Sequence, residues 1–386
     1  MSLSAAARIE SIPESIFATM SRLAVEHGAV NLGQGFPDFD GPAWIVEEAH
    51  TAMLAGKNQY APMPGILSLR RAIAEYQRNF YGLAWNADDE ITVTAGATEA
   101  LFSTMLAFID PGDEVIMFEP FYDSHQANVI LAGGVPKYAT LQAPDFHLDP
   151  DAIERLLTPR TRMLVLNNPD NPTGKVFARD ELTRIADIAK RNDLIVISDE
   201  VYEFLTYDAE HVPIATLPGM RERTITISST GKTFGMTGWK IGYTMAAPAL
   251  TRAIRMVHQF VTFAVNTPGQ HAMAHALSRL PEYLPALRAL YRGKRDLLFD
   301  GLKESIFTPH LPSGSYFIMA DIPERLGLDD IDTARRLVTE YGVAAIPPSA
   351  FYAVSDEGAR MLRFCFAKTE ATLRDGIARL RGAHFD

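Results

Sequence analysis

The stretch Arg223-Thr224-Ile225-Thr226-Ile227-Ser228-Ser229-Thr230-Gly231-Lys232-Thr233-Phe234-Gly235-Met236-Thr237-Gly238-Trp239-Lys240 decides how this chain folds. It opens on a β-branched run that reads as a strand and breaks into a glycine-punctuated loop carrying two lysines. A lysine fixed where a buried strand ends suits covalent chemistry, because a packed amine shifts its pKa and attacks carbonyls. The rest of the chain decides whether Lys232 does this or merely sits on a surface.

Four other segments repeat the same arrangement. Glu90-Ile91-Thr92-Val93-Thr94 leads into Ala95-Gly96-Ala97-Thr98-Glu99, and Glu114-Val115-Ile116-Met117-Phe118 leads into Glu119-Pro120-Phe121-Tyr122-Asp123. Met163-Leu164-Val165-Leu166 leads into Asn167-Asn168-Pro169-Asp170-Asn171, and Leu194-Ile195-Val196-Ile197 leads into Ser198-Asp199-Glu200-Val201-Tyr202. Each run is apolar or β-branched, as in strands buried on both faces of a mostly parallel sheet. Amphipathic patterns such as residues 179–190 separate them, which predicts an α/β fold. Ligands bind such sheets beyond the carboxyl ends of the strands. Here those ends offer small residues, an aromatic, an amide, a carboxylate and an amine, which points to one site.

A large domain is expected over 41–280 and a smaller α+β domain over 281–386, with residues 1–40 as an arm packing against the latter. In the small domain, residues 288–302 read as a helix and 314–319, 342–346 and 361–366 as strands. With 386 residues, 47% hydrophobic and 22% charged, the chain is long enough for two substantial cores. A net charge of −11 without a long acidic run argues against nucleic acid or an anionic membrane as main partner. The single cysteine, Cys365, excludes an intramolecular disulfide and a multi-cysteine metal site, and reads as a buried structural thiol. Glu10, Pro13 and Glu14 interrupt the N-terminus, so no secretory signal is expected, no run is long enough to span a membrane, and the cytoplasm is the default location.

Several short motifs dissolve on inspection. Gly231-Lys232-Thr233 lacks the earlier glycine of a phosphate-binding loop, because Thr226 stands there. Ser229-Thr230-Gly231-Lys232 fits Ser-x-x-Lys without the Ser-Asp-Asn partner of penicillin-recognising enzymes. Gly33-Gln34-Gly35 has Asp38 where a dinucleotide fingerprint needs glycine, and no clear strand is expected before it. His271 and His275 share a helix face, but Ala272 replaces the glutamate of a zinc-protease motif, so no metal is expected.

What survives is a constellation. Asp199 at a strand end is costly as a buried anion unless it meets a cation, either in a structural ion pair or on a protonated pyridinium nitrogen. Given a turn of helix after Asp199, Tyr202 reaches the same ligand, and Asn171 with Tyr202 can hold one phenolic oxygen. Tyr122 offers a flat face for stacking, although such an aromatic can equally be core. Gly96-Ala97-Thr98 opens a helix whose free N–H groups suit an anion, with Ser229 and Lys240 adding a hydroxyl and a charge. Lysine, stacking ring, oxygen partners, aspartate and anion cradle together describe a pyridoxal 5'-phosphate pocket.

With these residues on the page, the chain resembles the fold-type I, class I aminotransferases over essentially its whole length. Within them it is most similar to the kynurenine/glutamine transaminases and bacterial methionine aminotransferases. The matching segments are 31–39 (Asn31-Leu32-Gly33-Gln34-Gly35-Phe36-Pro37-Asp38-Phe39), Asn58-Gln59-Tyr60, 167–174, Ser198-Asp199-Glu200-Val201-Tyr202, 229–242 and Arg363-Phe364-Cys365-Phe366. The resemblance implies that Lys232 attaches the cofactor and later carries the Cα proton, while Asp199 keeps the ring nitrogen protonated. It implies that Asn171 and Tyr202 hold the ring's oxygen, that Asn167 is a further cofactor-binding residue, that Tyr122 stacks on the ring, and that Gly96, Ala97, Thr98, Ser229 and Lys240 hold its phosphate. Tyr60 of a partner subunit joins that phosphate, so a homodimer with shared sites is implied.

By the same resemblance Arg363 pairs with the substrate carboxylate, assisted by Asn171 and the Gly35 backbone. Phe17 and the neighbouring subunit's equivalent of Phe263 flank the substrate side chain. Thr98 stands where some relatives place tyrosine and Ala264 where some place histidine, which bears on side-chain preference. The implied activity is amino transfer from large neutral L-amino acids, namely methionine, glutamine, aromatics and kynurenine, to a 2-oxo acid by a ping-pong route. A carbon–sulfur β-lyase acting on cysteine conjugates begins with the same proton removal and remains the alternative. A cofactor-sensing regulator would need a DNA-binding domain for which the residues before 31 leave no room.

Overall fold

β-Branched and amphipathic runs alternate along the chain, and in the computed structural model this alternation becomes a wound sheet. The structure describes residues 5–10, 12 and 14–385; Pro13, the first four residues of the expected arm and the last of the expected small domain lie outside them. The strands in chain order are β1 (Val30–Asn31), β2 (Ile91–Ala95), β3 (Glu114–Glu119), β4 (Val135–Thr140), β5 (Thr161–Asn167) and β6 (Ile195–Asp199). They continue with β7 (Thr224–Ser229), β8 (Ile241–Met245), β9 (Thr308–Pro309), β10 (Phe317–Asp321), β11 (Val343–Ala344) and β12 (Met361–Cys365).

Seven strands form the central sheet in the order β2-β8-β7-β6-β5-β3-β4. Only β8 runs antiparallel to its neighbours, so the sheet is mostly parallel, as the β-branched runs require. The five expected strands all form. Three of them extend to Asn167, Asp199 and Ser229, so these polar residues close strands rather than begin loops. That extension fixes their backbones in the sheet's hydrogen-bond ladder (Asn167 opposite Asp199) and aligns the side chains at one edge.

The helix Arg179–Arg191 buries Leu182, Ile185, Ala186, Ile188 and Ala189, a stripe at helical spacing against the sheet. No helical turn follows Asp199. Residues 201–204 form hydrogen-bonded turns instead, because Glu200 and Glu203 turn inward to bind Ser198, His211, Ser228 and Tyr76. A second sheet, β12-β10-β9, is antiparallel, and the helix Leu280–Lys303 exceeds the expected 288–302 at both ends. The strand expected over 342–346 contracts to β11, which pairs in parallel with β1. A short strand therefore precedes Gly33-Gln34-Gly35 after all, but an irregular loop, not a helix, follows it.

One apolar core runs from Met20 and Leu32 through Tyr291 and Leu298 to Phe364 and Leu380. It joins the N-terminal segment, the long helix and the smaller sheet, so the Gly33–Gly35 loop is held against the central sheet's carboxyl edge. Among the described residues no helix is long and apolar enough to cross a membrane.

Candidate active site

A cavity of about 240 Å³ opens at the carboxyl ends of the central strands. Lys232 projects into it from the short helix Thr230–Thr233 that follows β7. Its Nζ donates to the Tyr316 hydroxyl at 2.8 Å and to the Gly35 carbonyl at 3.2 Å. Burial pushes this amine down to about 8, so part of it is neutral near physiological pH.

Asp199 closes β6 beside this lysine and is 3% exposed. The Asp199 carboxylate has a protein partner of its own: His125 Nε2 lies 2.9 Å from Asp199 Oδ2. Sequence reasoning passed over His125. The available signal was a polar residue three positions after Tyr122, on the buried face of the helix Asp123–Leu131. Asn167 braces the neighbouring strand ends, donating to the Asp199 carbonyl at 2.9 Å and accepting from the Asn171 N–H at 2.8 Å. Tyr122 and Tyr202 line the same cavity, and burial raises both phenols well above their ordinary value, keeping them neutral donors.

Opposite the carboxylate lies an anion cradle. The helix Gly96–Phe108 has no side-chain cap, so the N–H groups of its first turn face outward, as an anion site requires. Lys240 Nζ lies 3.2 Å from Thr98 Oγ1, and Ser229 makes no capping hydrogen bond with its hydroxyl. Gly96 adopts φ +73°, and a Cβ there would meet the Lys240 side-chain tip at 3.2 Å. A Cβ on Gly242 of β8 would sit 2.4 Å from the Gly96 carbonyl carbon and 2.6 Å from the Ala97 nitrogen. Glycine at both positions keeps the cradle open.

Arg363, on β12, enters from the smaller sheet and is 1% exposed. Its Nη1 donates to Asn171 Oδ1 at 2.9 Å and its Nη2 to the Gly33 carbonyl at 2.8 Å. Phe317, Phe17 and Phe351 surround the guanidinium at 4.0, 4.9 and 5.4 Å, favourable cation–π distances. Nε is buried without a partner, and burial lowers the group to about 10, so it stays charged at neutral pH. A buried, incompletely paired cation facing a cavity needs an anion.

Of the sequence-derived site residues, Gly35, Phe17 and all those of the strand ends line this cavity, together with Gln34, Phe36 and Phe317. The Gly35 carbonyl is already taken by Lys232 and Tyr316. Tyr60 and Phe263 stand apart from the cavity, packed ring to ring at 5.6 Å, and are 84% and 46% exposed. Tyr316 was not anticipated, since within the run 314–319 it reads simply as strand.

The donor set matches pyridoxal 5'-phosphate group by group. A partly neutral amine suits its aldehyde, a buried carboxylate its ring nitrogen, and an uncapped helix start with a lysine its phosphate. Comparison with known proteins agrees. Residues 28–380 match the family model for aminotransferase class I and II. Methionine aminotransferase of Escherichia coli is 43% identical over 375 residues, 97% of each chain, and its crystal structure superposes with a TM-score of 0.95 over 99% of this chain and 100% of that one. N-succinyldiaminopimelate aminotransferase of Mycobacterium tuberculosis is 44% identical over 97% of each chain, and its structure, covering 98% of this chain and 100% of that one, also gives 0.95. The kynurenine–oxoglutarate transaminase of Dictyostelium discoideum is 38% identical over 95% of this chain and 94% of its own.

Fold and site thus define a pyridoxal-phosphate-dependent transferase of fold type I. The chain belongs to the aminotransferase class I and II family, and it is an aminotransferase.

Proposed function

We propose that this enzyme moves the α-amino group of large neutral L-amino acids, methionine foremost, to a 2-oxo acid in two half-reactions. The observation that carries this reading is the buried Arg363 inside a ring of phenylalanines. One guanidinium meets the carboxylate common to all amino acids, and the walls beyond it are apolar. Aminotransferases that act on methionine and on kynurenine are among its relatives.

The geometry supports the following division of labour. When bound, pyridoxal 5'-phosphate supplies an electron-accepting ring that holds the electron pair released at the substrate's Cα. Asp199, backed by His125, holds a proton on the ring nitrogen. Asn171 keeps its side-chain N–H₂ for the ring oxygen while its Oδ1 serves Arg363, and Tyr202 donates to the same oxygen. Tyr122, which lines the cavity, would stack on the ring. Gly96, Ala97, Thr98, Ser229 and Lys240 take the phosphate. Lys232 would hold the cofactor through its amine and, once free, would take the substrate's Cα proton and hand it back. Arg363 orients the substrate so that this proton faces Nζ.

Tyr60 and Phe263 fit a second copy of the chain. The helix Pro248–Val261 just before Phe263 also exposes Phe260, 86%, and Met256, 60%, which suits a homodimer interface that delivers both rings to the partner's cavity. The arm, large and small domains expected at 1–40, 41–280 and 281–386 are part of this reading, as is a cytoplasmic location.

The test is a panel of single half-reactions followed by the cofactor's absorbance. Methionine, phenylalanine, glutamine and kynurenine should bleach the bound band; no change with any of them removes the reading. A second reading comes from the 44% identical Mycobacterium relative, whose substrate carries a distal carboxylate. Among the residues lining this cavity Arg363 is the one arginine, which favours neutral side chains. An N-succinyl amino acid bleaching at lower concentration than methionine would reverse that preference. Pyruvate and ammonia release from a cysteine conjugate, without added oxo acid, would turn the assignment to β-elimination.

A further inference from the structure

The two acceptors around Lys232 do more than fill space. A neutral amine has two N–H bonds and one lone pair. Here one N–H is directed to the Tyr316 hydroxyl at 2.8 Å and the other to the Gly35 carbonyl at 3.2 Å. Tyr316 spends its own proton on the Gly35 carbonyl, so its oxygen can only accept from Lys232. The hydroxyl is kept in that role by burial, which raises the phenol well above its ordinary value. Its ring is fixed as well: it is fully buried, with the Tyr202 ring edge-on at 5.0 Å and the Phe317 ring at 4.8 Å. Lys232 and Gly35 line the cavity and Tyr316 does not, so the phenol pulls on the amine from behind while the Gly35 carbonyl holds it from the rim.

We infer that Tyr316 is a positioning residue: with the Gly35 carbonyl it occupies both N–H bonds of the released Lys232 and leaves the lone pair aimed at the substrate's Cα proton. The three groups come from three parts of the chain, the N-terminal loop, the lysine helix and the residue just before β10. A packed phenol accepting one bond costs little to keep, whereas an unheld lysine has four rotatable bonds over which to spread its lone pair. In the transfer itself the Cα–H bond breaks, its electron pair stays on the substrate–cofactor side, and the N–H bond forms on Nζ. The resulting ammonium keeps both acceptors and holds the new proton on the cavity side, ready to be returned.

The inference rests on the proposed proton-carrying role of Lys232, and the test separates the two. Tyr316→Phe keeps the ring and removes the acceptor. Expected are a kcat about ten- to a hundredfold lower with KM within about threefold, and a larger isotope effect with Cα-deuterated methionine. A readout independent of turnover is the 15N signal of Lys232 Nζ in full-length enzyme loaded with pyridoxamine 5'-phosphate, where its titration midpoint should move to lower pH in the variant. Unchanged kcat and isotope effect, or an unmoved midpoint, overturns the role of Tyr316. Failure of wild-type enzyme to bleach with any amino acid would instead remove the functional reading. If Tyr316→Phe does not fold, 3-fluorotyrosine incorporated at position 316 weakens the acceptor without losing it. It should lower kcat in the same direction, and no change with it also overturns the inference.

Discussion

Lys232 and Lys240 share one loop and one side-chain type, yet their surroundings give them different chemistry. Lys232 is held by Tyr316 and the Gly35 carbonyl on the cavity floor, and Lys240 stands beside Thr98 at the anion cradle. Lys232→Ala should still bind the cofactor, shown by retained fluorescence quenching, but lose nearly all turnover, about 10⁴-fold or more. Lys240→Ala should keep the covalent absorbance band while releasing cofactor about tenfold more readily, measured by dialysis. Identical behaviour of the two variants would refute this division. Arg363→Lys keeps the charge but loses the planar fork that spans Asn171 and the Gly33 carbonyl. Its KM for methionine should rise by about a hundredfold, equivalent to about 2.7 kcal/mol, and an unaltered KM would place the carboxylate elsewhere. At this scale the sequence exposed the residues that end strands. His125 and Tyr316 escaped because each acts through a side chain reached across more than seventy positions of chain.

At the scale of elements, the carboxyl edge of the sheet is built by close approach. β8 presses so tightly on the start of the helix Gly96–Phe108 that Gly242 admits no side chain. Gly242→Ala should therefore displace Gly96 and Ala97, weaken cofactor binding at least tenfold and lower the melting temperature; wild-type affinity would mean the cradle tolerates the shift. Behind β7 lies a second buried polar group. Glu203 accepts from Ser228 and Tyr76, and burial, reinforced by Glu200, raises its carboxyl to about 7 from the ordinary 4.5. The native protein thus holds this proton where the unfolded chain has released it. Stability contributed by the neutral form is present below pH 4.5 and is lost as pH rises to about 7, on the order of 3 kcal/mol. Glu203→Gln should flatten this part of the melting-temperature profile between pH 5 and 8; a parallel profile would show that Glu203 is not its source. The strands and the helix Arg179–Arg191 were legible from side-chain period alone. The turn after Asp199 was not, because burial of Glu200 and Glu203 overrides local helical preference.

At the scale of the whole molecule, Tyr60 and Phe263 pack ring to ring away from the cavity of their own chain. If a second copy supplies them, a mixture of Lys232→Ala and Tyr60→Ala subunits should regain activity absent from either alone. Random reassortment yields hybrids in half the dimers, each with one intact site of two, so about a quarter of wild-type activity is expected. No recovery after mixing, or a fully active monomer in sedimentation, would show that the sites are not shared. The sequence by itself determined the α/β class, the five strands, and the lysine, aspartate and cradle residues at their ends, whereas Arg363, inside β12, came only from the resemblance. It could do so because strand period and strand-end chemistry are local properties, read within ten residues or so. Only the tertiary structure decided what faces those groups: His125 against Asp199, phenylalanines around Arg363, and Tyr316 with Gly35 behind Lys232. Those pairings join segments remote in sequence, and packing against a shared core, not any local pattern, brings them within hydrogen-bond distance.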